Sequence, residues 1–72
     1  MKLESNLINE EDFKVISEDC TLAQAFVTAE NWCYDNNAIM DWWTSYKGAW
    51  SNRFFIECIK DGKVVNTFII SK

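Results

Sequence analysis

A chain of 72 residues is enough for one domain, and a domain this small buries only about 60% of the surface its unfolded chain exposes, so its core is marginal unless reinforced. Hydrophobic residues make up 49% of the chain and aromatics 15%, which excludes a disordered protein. The net charge of −4 disfavours nonspecific nucleic-acid binding, which depends on a basic footprint.

Small domains are usually reinforced by disulfides, a metal or a second copy of the chain. Cys20, Cys33 and Cys58 are odd in number, far apart and without a CxxC pair, a poor disulfide framework and a poor zinc site. Histidine is absent, which removes the commonest metal ligand and general base together. No metal or cofactor is expected, the thiols are expected to be reduced and buried, and oligomerisation is left as the reinforcement. No apolar run follows "MKLESN" and none approaches a membrane span, so the expected location is the cytoplasm, away from membranes. Charge is uneven: Met1 to Asn36 carries two lysines against eight carboxylates, whereas Asn37 to Lys72 carries five basic residues against three carboxylates. An acidic face could meet a basic partner, but a solvated surface explains the same asymmetry.

Residues 1–19 read as an arm. "NEEDF" suits one capped helical turn and "FKVIS" equally suits a short strand; either way Leu7, Ile8, Phe13 and Ile16 are available to pack on the domain. A helix follows over 21–36, with its regular turns near Leu22 to Asp35. Thr21 and Gln24 have capping-box spacing, Leu22, Ala25, Phe26, Ala29 and Cys33 form one apolar stripe, and Asn36-Asn37 can end it.

Ala38 to Tyr46 holds Ile39, Trp42, Trp43 and Tyr46, which fit a helical stripe but are also good strand residues. With the helix already ended and a lone hairpin marginal in water, a strand over 38–46 is expected, turning through "KGAWSN" into strands 52–60 and 63–71. Asp61-Gly62 between the last two is a type I′ hairpin signature. Continued without interruption, that turn pairs Cys58 with Val65, Phe55 with Phe68 and Phe54 with Ile69. The predicted fold is α+β: an N-terminal arm and one amphipathic helix packed on a three-stranded antiparallel meander.

In that register one hairpin face carries Phe54, Ile56, Cys58, Val65, Thr67 and Ile69, and the other carries Phe55, Ile59, Val64, Phe68 and Ile70. Both are apolar, yet a single helix covers only one. The second set is therefore the candidate dimer interface, with sheet packed on sheet; the arm could cover it instead. Trp42, Trp43 and Trp50 form a candidate surface for an unidentified protein partner. Trp43, Tyr46, Lys47, Trp50 and Arg53 interleave aromatic and basic groups as single-strand stacking platforms do, against the acidic character of the whole.

Nothing resembles a catalytic constellation. Glu10, Glu11 and Asp12 are adjacent in a polar segment, the serines have no histidine to activate them, and no glycine-rich phosphate loop occurs. The length near seventy residues and the order of one helix then three strands resemble YopT, a small hypothetical protein family associated with Bacillus prophage. That resemblance covers most of the chain and implies a homodimer of prophage origin with no assigned activity. It carries no motif and transfers no functional residues.

Overall fold

In the computed structural model, which describes residues 1–7, 12–45 and 53–72, five antiparallel strands form one sheet and a single helix lies on one of its faces. The elements are β1 (Lys2–Leu7), β2 (Lys14–Ser17), α1 (Leu22–Asp35), β3 (Ile39–Ser45), β4 (Arg53–Lys60) and β5 (Lys63–Ser71). Spatial order is β2-β1-β5-β4-β3, so the first strand lies in the middle of the sheet beside the last. Isoleucine 8 and the "NEE" part of the first segment, like Tyr46 and the "KGAWSN" turn, lie outside the described residues.

The expectation of a three-stranded meander is corrected. The strand-rich α+β class holds, but the supposed arm is a hairpin that adds two strands to β5. The reason is physical: β5 is nine residues long, and without β1 it would be an apolar edge with unpaired backbone groups. β1 pairs with it from Lys2↔Ser71 to Leu7↔Asn66. Alternation in "KLESNL" is muted because Ser5 takes one of the inward positions between Leu3 and Leu7.

The helix begins where capping chemistry places it. Thr21 Oγ1 accepts from the Gln24 backbone N–H at 3.1 Å, and Gln24 Oε1 accepts from the Thr21 N–H at 2.9 Å. It ends in a Schellman arrangement: Asn37 adopts φ 55°, its N–H reaches the Tyr34 carbonyl at 3.3 Å, and the Ala38 N–H reaches the Cys33 carbonyl at 2.8 Å. Ala25, Ala29 and Cys33 are buried along one stripe, and α1 packs mainly on β3, β4 and β5. Chain entry to the helix is tied to the sheet by Met1 and Cys20, whose backbone groups bond at 2.8 and 2.9 Å.

The β4–β5 turn has the expected form, with Asp61 at φ 54° and Gly62 at φ 76°. The uninterrupted register does not. Ile59 pairs with Val64, but Cys58 pairs with Asn66, so Val65 is an extra residue forming a β-bulge. Beyond it every face assignment on β5 inverts. Phe54, Ile56, Cys58, Asn66, Phe68 and Ile70 point to the helix, together with Leu3 and Ser5. Phe55, Glu57, Ile59, Thr67 and Ile69 point the other way. Phe68 and Ile70, expected on the uncovered face, belong to the core, and Ile69 and Thr67 exchange places with them.

Leucine at position 29 tests the close approach of helix and sheet. Ala29 is fully buried, so Ala29→Leu is expected to destabilise by about 1–3 kcal/mol through overpacking, read as a lowered urea midpoint.

Candidate functional site

Two regions carry chemistry that the core does not absorb: the sheet face away from the helix with its β3 edge, and a groove between α1 and the β1–β2 hairpin.

On the outer face, cross-strand pairing lays side chains in rows. One row runs Trp43, Phe55, Ile69, Glu4 and Val15 across all five strands. Trp43 and Phe55 stack, their centroids 5.2 Å apart and their planes 10° from parallel. Ile69 is only 4% exposed although no helix covers it, so its neighbours in the sheet shield it. The next row is polar, with Asp41 opposite Glu57, then Thr67 and Asn6. A third row sets Ile39, which is 73% exposed, beside Ile59 and Val64. Of the expected dimer-interface residues, Phe55, Ile59 and Val64 therefore share the uncovered face, while Phe68 and Ile70 lie beneath α1.

Of the expected partner surface, Trp42 and Trp43 are not brought together. Trp42 and Trp43 are consecutive in a strand and point to opposite faces. Trp42 meets Phe26 edge-on at 5.7 Å and lies 6.3 Å from Phe54, rimming the core, while Trp43 is on the outer face. Trp50 lies outside the described residues, as do Tyr46 and Lys47; Trp43 and Arg53 are the members of the aromatic-basic set that can be placed, both on the outer face.

β3 is an edge strand without a lysine or proline to blunt it. Its one charge, Asp41, does part of that work: its Oδ1 accepts from the Trp42 backbone N–H at 2.9 Å. The carboxylate occupies a donor that a neighbouring strand would otherwise take.

On the inner side, α1 sits towards β3–β5, and its flank meets the β1–β2 hairpin around Leu3, which is buried, and Ile16, which is half exposed. Two cavities of about 590 and 410 Å³ lie there and meet at Ile16 and Thr28. The smaller is walled by Trp32 and Phe68, whose rings meet edge-on at 6.4 Å, with Ser5, Thr28, Lys14 and Asp35 around them. Asn66 forms part of its wall. That residue is 2% exposed and its Oδ1 is buried with no hydrogen-bond partner. The bulge at Val65 puts Asn66 there, so periodicity alone would have assigned it to solvent; no sequence signal marked it.

Cys33 and Cys58 are buried against one another between helix and sheet, and all three cysteines are free thiols. Burial, then the hydrogen bond and charge interaction with Cys33, push the Cys58 thiol well above its ordinary value of 9.0. Among the described residues no group of histidine, cysteine or acidic side chains could hold a metal ion, and no helix is long and apolar enough to cross a membrane.

This geometry defines the chain as a small helix-on-sheet α+β protein. No family model matches it, and no curated protein or solved structure matches it either.

Two outcomes follow for stability. Asn66→Leu replaces an unpaired buried amide by an apolar side chain of similar size and is expected to stabilise by about 1 kcal/mol in urea unfolding. The raised Cys58 value means that the native state disfavours the thiolate. Its contribution is complete below the unfolded value near 9.0 and is lost as pH climbs past it towards the higher native value. The unfolding midpoint is therefore expected to fall above about pH 9, and to fall less in Cys58→Val.

Proposed function

We propose that this chain is a small non-catalytic binding protein that works as a homodimer, two copies packing through the outer faces of their sheets. The observation that carries this reading is the Trp43–Phe55 stack on the sheet face away from the helix, flanked there by Ile39, Ile59 and Val64. An antiparallel sheet with one solvated face ordinarily alternates apolar inside and polar outside, and extended apolar patches on small proteins mark interaction sites. Burying one such side chain contributes about 1.5–3 kcal/mol, which is substantial beside the small net stability of a domain of this size.

The interface differs in membership from that drawn on the uninterrupted register: Trp43 and Ile39 join Phe55, Ile59 and Val64, and Phe68 and Ile70 leave it. The Asp41–Glu57 row lies between the two apolar rows, so a two-fold arrangement must leave water or a paired cation at these carboxylates. A cytoplasmic location accompanies the proposal, supported by the free thiols.

Light scattering coupled to size exclusion tests the association. A mass twice that of the 8.4 kDa chain is expected, falling to the monomer value in Phe55→Lys. A monomeric mass for the unaltered protein throughout the micromolar range defeats the proposal. Tryptophan fluorescence should remain unquenched by single-stranded oligonucleotide at low salt, as the net negative charge requires.

A further inference from the structure

The edge of β3 is separate from the sheet face assigned to the dimer, and a strand can add to it whether or not two copies associate. We infer that this edge docks an extended peptide segment that sets one lysine or arginine among apolar residues.

The open sheet has two edge strands, β2 and β3. β2 is protected in three ways common to edge strands. It has only four residues, it begins with Lys14, and it is bulged, Ile16 being an extra residue between Val15 and Ser17, which partner the adjacent Glu4 and Leu3. β3 has seven residues, an unbroken register with β4, and neither lysine nor proline. It also carries three exposed large apolar side chains, Ile39, Trp42 and Trp43. Extended peptides add to open edges of this kind, held by main-chain hydrogen bonds and selected by alternate side chains.

Backbone phase fixes which groups the edge presents. In an antiparallel ladder alternate residues exchange both hydrogen bonds with the neighbouring strand, and those between them face outward. The Trp42 N–H turns to the Asp41 carboxylate, so Trp42 is an outward residue, and Met40 and Thr44 share its phase. The Ala38 N–H, in the same phase, bonds to the Cys33 carbonyl of the helix. Met40, Trp42 and Thr44 therefore offer N–H and C=O groups to an added strand.

Charge selects the occupant. Asp41 lies directly opposite Glu57, and like charges in that position are destabilising. Among the described residues no lysine or arginine forms an ion pair with either carboxylate. An added strand places one residue beside Asp41, at the end of that row, and a cation there relieves the repulsion. The cation also draws the carboxylate from the Trp42 N–H and releases that donor to the ladder, whereas a strand without one meets the donor occupied. Two positions to either side, the added strand lies beside Ile39 and Trp43 on the outer face. The positions between lie beside Met40 and Trp42, so all four favour apolar residues. β3 has no cation of its own, and pairing with its own copy does not supply this pattern.

The test adds capped heptapeptides to the intact chain and follows its backbone amide resonances and amide hydrogen exchange. One peptide has lysine at its centre, two valines on each side and a threonine at each end; two others carry norleucine or glutamate at the centre. The lysine peptide is expected to bind with a Kd on the order of millimolar and to protect the amides of Met40, Trp42 and Thr44. Norleucine should weaken binding about fivefold and glutamate about tenfold. Methylating the nitrogens of the two valines next to the lysine, which face β3 in this pairing, should abolish binding, and methylating the lysine backbone nitrogen should not. Asp41 is exposed, and Asp41→Ala should keep the spectrum of the folded protein. That variant should bind the norleucine peptide more tightly than the unaltered chain does, and the lysine peptide within about twofold of it. Protection confined to β2, equal binding of the glutamate peptide, binding that survives methylation at the valines, or a lysine preference undiminished in Asp41→Ala would each overturn the assignment. So would the lack of any protection at peptide concentrations of about ten millimolar.

Discussion

A single inserted residue at Val65 governs this molecule. The bulge sets Asn66 against Cys58 and turns Phe68 and Ile70 towards the helix, where they complete a core with Leu3, Ile56 and the Ala25–Ala29–Cys33 stripe. Side chains alternate with a period of two, so one extra residue exchanges the population of the two faces along the rest of β5. Without it, Phe68 would lie in water and Ile69 beneath α1. The core, the groove and the outer face all take their membership from that offset.

Much of the architecture is legible in the residues because local chemistry decides it. Thr21 and Gln24 specify the start of α1, Asn36-Asn37 its end, and Asp61-Gly62 the tightest turn, each through groups within a few positions of one another. The ambiguity of Ala38 to Tyr46 resolves to strand for Ile39–Ser45. What escaped was non-local. β1 has weak alternation of its own and becomes a strand through pairing, since it supplies the partner that β5 lacks, whereas the strand alternative for "FKVIS" is met by β2. The bulge left no compositional mark: Val65 and Asn66 look like any alternating pair, and packing against Cys58 and α1 selects the shift. The burial of Asn66 on the helix side of the sheet was hidden by the same offset.

The aromatic density of β3 resolves into two separate jobs. Trp42 joins Phe26 and Phe54 at the rim of the core, and Trp43 stacks on Phe55 outside. Adjacent tryptophans in a strand point to opposite faces, so the pair in "DWW" divides between the rim of the core and the outer face, each ring remaining substantially exposed. Asp41 completes the arrangement by holding the Trp42 N–H, which leaves the edge less available to another strand than its apolar composition suggests.

The pairing of β1 with β5 joins Lys2 to Ser71, positions at opposite ends of the polypeptide. Almost the whole chain is thus a loop that must close before the sheet is continuous, and the entropy of that closure is met late. The β1–β2 hairpin lacks its central neighbour until β5 is available to pair. The β1–β2 hairpin and the β3–β4–β5 meander each pair between neighbours in sequence, and the β1–β5 ladder is what joins them into one sheet.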